Sequence, residues 1–288
     1  MTEILRGDVV AQAMEEELAK KNCELLEKGI LPCLATIRIG EWPDDIIYER
    51  GILKLFREVG MQVRAVILPE AITQDALENV FTALNNDSTV HGILLFLPLE
   101  DNLDDEPLKK MIKPYKDVDG MCAENISNVF LGKGVGYAPC TAKGVMELLK
   151  FYKIPLVGAR VALVGNSMVV GKPLSMLLTR ESATVIMCHS KTIDVPEECR
   201  RADIIISATG VDKLIKKNYI KPGAVVIDVG INIDRVTGKM HGDVDFDDVS
   251  QIASAITPVP GGVGIVTNAV LARHTLIAAE RSLSECLT

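Results

Sequence analysis

A glycine-containing segment that follows a run of apolar residues is the first feature whose spacing points to chemistry. In VALVGNSMVVGKP (161–173), Gly165 ends a predicted strand, and Asn166, Ser167 and Gly171 lead into a predicted helix. Backbone N–H groups at the start of a helix bind anions, and Gly165 permits the close approach that a pyrophosphate needs. The spacing GxSxxxG differs from the familiar GxGxxG, so a tight turn of any parallel sheet is the alternative interpretation.

Three further predicted strands also end in small or polar residues. The three ends are CHSKT (188–192), SATG (207–210) and DVGIN (228–232). Ligands of doubly wound sheets bind at the carboxyl ends of the strands. Loops in general favour these residue types, but four successive strand ends of this kind favour a dinucleotide site, with Ser190, Thr209 and Gly210 as candidate contacts.

A second group of candidate residues lies in KDVDG (116–120) and PVPGGVG (258–264). Asp119 is either a loop acid that caps a turn, which is the usual role of aspartate before glycine, or a pocket carboxylate that accepts hydrogen bonds from a bound heterocycle. The two prolines and three glycines of the second segment form either a rigid turn or a loop whose backbone contacts a flat ligand.

The elements that would position these residues alternate along the chain. Apolar periodicity predicts helices at 7–28, 44–60, 73–86, 143–152, 171–180 and 269–280, and strands at 34–39, 63–68, 92–97, 161–164, 184–188, 204–208 and 225–229. This alternation is typical of an α/β protein with mostly parallel sheets. The segment 100–136, rich in Asp, Pro, Lys and Gly, is predicted to be a loop with short helical pieces.

Length, charge and composition narrow the class of protein. A chain of 288 residues is longer than one average domain, so two domains are expected. The net charge of −8 argues against nucleic acid or an anionic membrane as a partner. The apolar runs are too short to span a bilayer, and the four scattered histidines predict no metal site.

The cysteines and the N-terminus favour a cytoplasmic protein. The seven cysteines form no CxxC pair and no regular framework; they are Cys23, Cys33, Cys122, Cys140, Cys188, Cys199 and Cys286. Scattered cysteines in odd number predict reduced thiols. The first twenty residues have no apolar core of signal-peptide length.

Together these segments closely resemble the methylenetetrahydrofolate dehydrogenase/cyclohydrolase family. The shared segments, which follow the family's order over nearly the whole chain, are PYKDVDG (114–120), PCTAKG (139–144), GNSMVVGKP (165–173), CHSKT (188–192), IDVGIN (227–232) and PVPGGVG (258–264). The resemblance implies an N-terminal α/β catalytic domain, 1–137, completed by a C-terminal helix, 268–288. It also implies a Rossmann-type domain, 138–267, with the folate in the cleft between the two.

The resemblance further implies a homodimer that oxidises 5,10-methylenetetrahydrofolate to 5,10-methenyltetrahydrofolate with NADP. In most members, hydrolysis to 10-formyltetrahydrofolate follows in the same cleft. The residues that match functional positions are Tyr48 (active-site tyrosine), Asp119 (folate-binding aspartate), Gly165, Asn166 and Ser167 (phosphate loop), Ile231 (nicotinamide contact), and Gly261 and Gly262 (loop flanking the folate).

Several positions depart from the family pattern. Ile52 stands where the catalytic lysine belongs, and Phe96, a candidate substrate contact, replaces the glutamine that would partner it. Asp45 replaces a serine, Asn166 an arginine, and Ala142 and Ile265 each a proline. Tyr48 and Ile52 share one helix face at i and i+4, whereas Lys54, the obvious catalytic substitute, lies about 200° round the helix from Ile52.

Three hypotheses follow for the function. The first is a dehydrogenase whose cyclohydrolase step is impaired or lost, the second a fully bifunctional enzyme that uses another group instead of lysine, and the third a non-catalytic protein that binds folate or dinucleotide. The strand end at CHSKT (188–192) carries no acid, so nothing there would repel the 2′-phosphate of NADP. Asn166, however, lacks the guanidinium group with which an arginine would bind that phosphate. We therefore expect NADP as the cofactor with weakened discrimination, so that NAD is also used.

Overall fold

The computed structural model of the protein describes residues 2–132, 136–234 and 238–285. Its helices are α1 (Gly7–Glu27), α2 (Pro43–Glu58), α3 (Gln74–Asn86), α4 (Glu106–Met111), α5 (Ala123–Leu131), α6 (Cys140–Phe151), α7 (Gly171–Arg180), α8 (Val195–Arg200), α9 (Phe246–Val249) and α10 (Val263–Glu285), with a 3₁₀ turn at Lys217–Tyr219. Its strands are β1 (Glu3–Ile4), β2 (Cys33–Ile39), β3 (Gln62–Leu68), β4 (Gly92–Leu95), β5 (Arg160–Val164), β6 (Thr184–Cys188), β7 (Ile204–Ser207), β8 (Val225–Asp228), β9 (Asn232–Ile233), β10 (Met240–His241) and β11 (Ala255–Ile256).

The chain divides into two compact units by its internal contacts. One unit comprises Met1–Gln12 and Thr141–Thr267, and the other Ala13–Cys140 and Asn268–Thr288. The predicted ranges, 1–137 with 268–288 and 138–267, differ mainly in residues 1–12. These residues group with the 141–267 unit because β1 pairs with β11 in its sheet. As assignments of independently folding domains, the predicted ranges remain predictions.

The 141–267 unit is built on a six-stranded parallel sheet with the order β1-β11-β8-β7-β5-β6. Strands β5, β7 and β8 are mostly buried and consist largely of apolar residues, which suits a sheet with both faces covered. From β5 the chain passes first to β6 on one side and then to β7 on the other. This reversal is a topological switch point, where ligands of open α/β sheets bind.

The 13–140 unit contains a three-stranded parallel sheet with the order β3-β2-β4. Strand β2 is central and buried along its whole length. The core of this unit includes the buried side chains of Ile37, Leu77, Phe81 and Ile93. The predicted α/β class with parallel sheets is therefore confirmed in both units.

Helix ends differ from the predicted ones by a few residues. Helix α2 begins at Pro43, a residue preorganised for the first turn, and Asp44 and Asp45 follow in that turn. Helix α10 begins at Val263, directly after the glycine-rich loop and six residues before the predicted start. Because glycine is a poor helix former, periodicity alone places such a start too late.

No helix within the described residues is long and apolar enough to cross a membrane. The six cysteines that the structure describes are free thiols, and Cys286 lies outside the described residues.

Candidate functional site

The turn after β5 requires glycine at two positions. Gly165 has φ +121°, and a Cβ on it would lie 2.3 Å from the carbonyl oxygen of Ala208. A Cβ on Gly171, the first residue of α7, would lie 2.2 Å from the carbonyl oxygen of Gly165. The backbone is therefore packed as closely as a phosphate-binding βα turn requires, and it stands at the switch point of the sheet.

We expect Gly165→Ala to destabilise the protein and to abolish dinucleotide binding. The alanine would combine an unfavourable φ with a backbone clash at Ala208, at a cost of about 1–3 kcal/mol for the strained conformation alone. Thermal denaturation and a dinucleotide titration measure the two effects. The matched control is Gly223→Ala, because Gly223 has φ +85° with open space around it. Equal dinucleotide binding by both variants would contradict the assignment of this turn.

Side chains of this turn are available at the surface. Asn166 and Ser167 are exposed, and the Ser167 hydroxyl accepts hydrogen bonds from the N–H groups of Val170 (3.1 Å) and Gly171 (3.5 Å). Ser167 thereby closes the turn into α7, while the side chain of Asn166 makes no hydrogen bond among the described residues. Both candidate phosphate-loop residues are accessible to a ligand.

The carboxyl ends of four strands lie side by side. Val164 pairs with Cys188 of β6 and with Ser207 of β7, and Ser207 pairs with Asp228 of β8. The polar segments that follow these four strands therefore start from one edge of the sheet. Of the candidates they carry, Ser190 and Gly210 are exposed, and Ile231 is 52% exposed.

Thr209 is held by the carboxylate of Asp243, which no sequence motif indicates. Its N–H and its hydroxyl both donate to Oδ2 of Asp243, at 2.6 and 2.9 Å, and the Ser207 hydroxyl donates to the same oxygen at 3.0 Å. The Asn232 amide donates to Oδ1 of Asp243 at 3.2 Å. One buried acid thus ties the ends of β7 and β9 together and orients Thr209.

A second buried acid supports this arrangement. Asp228 accepts hydrogen bonds from the N–H groups of Gly230, Asp243 and Val244, at 3.0, 3.0 and 2.9 Å. Burial, and then the neighbouring charge of Asp243, raises the pKa of Asp228 to about 7. In the sequence, Asp243 lies in HGDVDF (241–246), a short segment without the apolar periodicity that would indicate its position in the fold.

The loop 258–264 packs against the start of α1. The Gly7 N–H donates to the carbonyl oxygen of Gly261 at 2.7 Å. A Cβ on Gly7 would lie 1.9 Å from the carbonyl oxygen of Gly262, and one on Gly262 would lie 2.5 Å from that of Pro258. The two candidate folate-flanking glycines are therefore held by backbone contacts.

The 13–140 unit brings together two aromatic candidates. Tyr48 on α2 and Phe96, directly after β4, pack edge to face with ring centroids 5.6 Å apart. Burial raises the pKa of the Tyr48 hydroxyl well above its usual value, and the nearby charge of Asp119 acts in the same direction. Tyr48 is therefore a protonated phenol at neutral pH, able to donate a hydrogen bond.

Asp119 is a half-buried carboxylate with one fixed partner. The N–H of Cys140 donates to its Oδ1 at 2.9 Å. Burial raises the pKa of Asp119 to about 6, against the lowering effect of the bonds from Cys140. A carboxylate has several acceptor sites, so Asp119 can accept a further hydrogen bond from a ligand.

The peptide before Asp119 is fixed by a residue far away in the sequence. His274 on α10 bonds through Nδ1 to the carbonyl oxygen of Val118 at 2.8 Å, and the Cys140 thiol donates to the same oxygen at 3.3 Å. Because a carbonyl only accepts, Nδ1 of His274 carries the proton. The His274 ring also packs on Tyr137, with centroids 5.0 Å apart.

Asp117, two residues before Asp119, has a purely structural role. Asp117 is fully buried and accepts hydrogen bonds from the N–H groups of Met121 and Cys122, both at 2.9 Å, and from the amide of Asn125 at 2.7 Å. It therefore organises the loop before α5. Of the two acids in KDVDG, only Asp119 is available for a ligand.

The position that the resemblance assigns to a catalytic lysine is occupied by an apolar residue. Ile52 is fully buried on α2, one helical turn after Tyr48. The side chain of Lys54 is 70% exposed, with its Nζ 4.0 Å from a carboxylate oxygen of Glu58. Lys54 thus points away from buried Ile52, and the structure gives no support to Lys54 as a catalytic substitute.

An ion pair anchors the helix that carries Tyr48. Glu49 accepts hydrogen bonds from the Thr36 hydroxyl (2.9 Å) and from Nε of Arg38 (3.1 Å), and all three residues are buried. Removing one partner of a buried pair leaves an uncompensated charge, so this pair fixes α2 on β2. In the sequence, the feature that indicates this ion pair is a charged arginine within a mostly apolar predicted strand.

Groups of three or more residues able to hold a metal ion are absent from the part of the chain that the structure describes.

These features define a two-domain α/β protein with a dinucleotide-type turn in one unit and a phenol–carboxylate pair in the other. The chain belongs to the tetrahydrofolate dehydrogenase/cyclohydrolase family. The model of the family's catalytic domain matches residues 5–119, and that of its NAD(P)-binding domain matches residues 139–283. The resemblance inferred from the motifs is thereby confirmed, as is the presence of a nicotinamide dinucleotide-binding domain.

Similar proteins cover the chain almost completely. The bifunctional protein FolD of Carboxydothermus hydrogenoformans is 46% identical over 97% of this chain and 98% of its own length. The bifunctional FolD methylenetetrahydrofolate dehydrogenase/cyclohydrolase of Campylobacter jejuni has a TM-score of 0.93 and is 41% identical, covering 98% and 99% of the two chains. The Trypanosoma brucei FolD, solved with NADP and an inhibitor, has a TM-score of 0.93 and 37% identity over 98% of each chain.

Proposed function

We propose that this protein oxidises 5,10-methylenetetrahydrofolate to 5,10-methenyltetrahydrofolate with NADP, and that hydrolysis to 10-formyltetrahydrofolate is impaired or lost. The observation that carries the proposal is that Ile52, at the position of the family lysine, is fully buried. Tyr48, one turn earlier on the same face of α2, is retained. Phe96, packed on Tyr48, stands where the partner glutamine would be.

The residues that the oxidation needs are retained. The turn at Gly165 and Gly171 has the close backbone packing of a phosphate-binding turn, and Thr209 is held by Asp243 at the same sheet edge. When bound, the nicotinamide ring supplies the hydride acceptor. The protein's own contribution is to hold substrate and cofactor in position, with Asp119 as an acceptor and Tyr48 as a donor for the folate.

The hydrolytic step makes a different demand, because water must be activated and protons moved as a tetrahedral centre forms and collapses. An acid–base side chain commonly accelerates such a step by roughly 10²–10⁴-fold. Neither Ile52 nor Phe96 has a group that moves a proton or orients water. Oxidation without efficient hydrolysis is the combination that these residues support.

Full bifunctionality is the second candidate, since the relatives from Carboxydothermus and Campylobacter are bifunctional proteins. One observation favours it: Asp45, on the first turn of α2, is half-buried, and burial raises the pKa of its carboxyl above the usual value. A carboxyl with a raised pKa is an acid–base candidate. A non-catalytic folate- or dinucleotide-binding protein is the third candidate, and absence of any turnover would support it.

The cofactor assay tests the oxidation directly. We expect formation of reduced dinucleotide from methylenetetrahydrofolate, with kcat/KM higher for NADP than for NAD but weakly discriminating. Asn166→Arg should raise the preference for NADP roughly tenfold or more, because a charge-assisted contact contributes about 1.5–3 kcal/mol. Met168→Arg, at an exposed site in the same turn, is the matched control for added charge. A strong wild-type preference for NAD would refute this expectation.

A homodimer and a cytoplasmic location complete the proposal. They rest on the family resemblance and on the scattered, free cysteines. Sedimentation analysis of the purified protein tests the dimer.

A further inference from the structure

Cys140, the first residue of α6, makes two hydrogen bonds to the loop that carries Asp119. Its N–H donates to Oδ1 of Asp119 at 2.9 Å, and its thiol donates to the carbonyl oxygen of Val118 at 3.3 Å. One residue therefore holds both the Asp119 carboxylate and the peptide that precedes it. A cysteine with only a packing role has no need of such an arrangement.

The loop approaches the segment before Cys140 as closely as a backbone can. Gly120 has φ +67°, and a Cβ on it would lie 2.5 Å from the carbonyl oxygen of Tyr137. Val118, Gly120 and Cys140 are buried, whereas Asp119 is partly exposed. Cys140 thus holds, from the buried side, a carboxylate that a ligand can reach.

The thiol of Cys140 lies among groups from several elements. Nδ1 of His274 on α10 is 3.6 Å from its Sγ and bonds to the same carbonyl oxygen at 2.8 Å. Among the described residues, the other titratable groups around Asp119 are Tyr48 from α2 and Asp117 from the loop itself. Burial raises the pKa of the Cys140 thiol well above its usual value, so the thiol stays protonated and remains a donor at neutral pH.

The two groups of Cys140 also affect the protonation of Asp119. Burial raises the pKa of Asp119 to about 6, and the N–H and the thiol of Cys140 both oppose that rise. The reason is that hydrogen bonds donated to a carboxylate favour its charged form. Without the thiol, more of Asp119 would be protonated near neutral pH, and a protonated carboxyl is a weaker acceptor for a ligand.

We propose that Cys140 is a positioning residue of the folate site, which holds the Asp119 carboxylate in the orientation and the ionised form in which it accepts a hydrogen bond from the substrate. This inference rests on the proposed function and adds a residue that acts through Asp119. Cys140 is fully buried, so it does not itself contact the substrate. A merely structural cysteine would affect stability but leave the protonation of Asp119 unchanged.

Cys140→Ala and Cys140→Ser test the inference, because both retain the backbone N–H and only serine retains a side-chain donor. The readout is an NMR titration of ligand-free protein labelled with ¹³C in its aspartate carboxyl groups, with Asp119→Asn identifying the resonance of Asp119. The pKa of Asp119 should rise by roughly half to one pH unit in Cys140→Ala, as the loss of one hydrogen bond predicts. In Cys140→Ser it should stay at or below the wild-type value, because a hydroxyl donates more strongly than a thiol.

The activity should follow the titration. At pH 6, kcat/KM of Cys140→Ala for methylenetetrahydrofolate should fall roughly two- to fivefold, because that rise in pKa leaves less Asp119 ionised. The loss should be smaller at pH 8, where Asp119 is ionised in both proteins, and Cys140→Ser should restore kcat/KM at pH 6.

Cys33→Ala is the matched control, since Cys33 is another buried thiol of the same unit, 3.9 Å from the carbonyl oxygen of Leu34. It should lower the melting temperature without moving the pKa of Asp119. An unmoved pKa in Cys140→Ala, or the same upward shift in Cys140→Ser or Cys33→Ala, would overturn the inference. Either variant at residue 140 decides the matter if the other does not fold.

The titration uses no substrate, which separates this inference from the proposed function. A wild type that neither binds nor turns over the folate would refute the proposed function, and with it the substrate that Cys140 serves. An active wild type in which Cys140→Ala leaves the pKa of Asp119 unmoved removes only the role of Cys140.

Discussion

Methenyltetrahydrofolate should be hydrolysed by the wild-type protein roughly a hundredfold or more slowly than methylenetetrahydrofolate is oxidised. The expectation follows from the loss of an acid–base group, which commonly contributes 10²–10⁴-fold to such a step. Ile52 is fully buried and Phe96 packs on Tyr48, and neither side chain carries a group that can activate water. Decay of the methenyl absorbance above the buffer background measures hydrolysis, and dinucleotide reduction measures oxidation.

The double variant Ile52→Lys with Phe96→Gln should gain hydrolysis while oxidation is retained. Because residue 52 is fully buried, the variant's fold must be checked by circular dichroism and by its own dehydrogenase rate. Leu53→Lys is the matched control, since it adds the same charge to the same helix at an exposed position. Wild-type hydrolysis as fast as wild-type oxidation would contradict the prediction, whatever the variants do.

Replacing Asp119 by asparagine should lower kcat/KM for methylenetetrahydrofolate by roughly 10- to 150-fold, because a hydrogen bond to a charged group contributes about 1.5–3 kcal/mol. Asparagine retains an oxygen for the Cys140 N–H, so the loop should keep its conformation. In the wild type, kcat/KM should rise with pH through about 6, the raised pKa of the half-buried Asp119. The variant should lack this limb; a limb that persists would assign it to another group.

The same raised pKa gives the sign of a stability effect. Between pH 4 and 6 the native state keeps a proton on Asp119 that the unfolded chain releases, so this group's contribution to the unfolding free energy falls as pH rises. Asp228, with a pKa of about 7, contributes in the same direction. The difference between the melting temperature of Asp119→Asn and that of the wild type should therefore shift in favour of the variant as pH increases from 4 to 6. A constant difference would show that Asp119 has an ordinary pKa.

Much of the fold and part of the candidate site follow from short-range patterns in the sequence. Apolar periodicity predicts most of the strands because a strand buries a continuous short run, and the strand–helix alternation predicts parallel sheets. The glycine positions of the turn after β5 are also readable, since only glycine tolerates such close backbone approach. The separation of Lys54 from the face of Tyr48 and Ile52 follows from helix geometry alone.

Two-residue strands and contacts between distant segments were not predictable in this way. Strand β1 is too short for a periodic signal, and its pairing with β11 places residues 1–12 in the 141–267 unit. Asp243 binds Thr209 across 34 residues, and His274 binds the carbonyl of Val118 across 156. Each is a single polar side chain whose neighbours in sequence carry no information about its partner.

The sequence by itself therefore determined the α/β class and the family, and it predicted a phosphate-binding turn and Ile52 at the position of the family lysine. Only the tertiary structure decided that Ile52 is fully buried, that Asp119 rather than Asp117 is available to a ligand, and that Cys140 holds the Asp119 carboxylate. The physical reason is the distance in sequence over which each feature is determined. Local backbone preferences repeat along the chain and can be read from it, whereas burial and hydrogen-bond partners depend on which distant segments pack together.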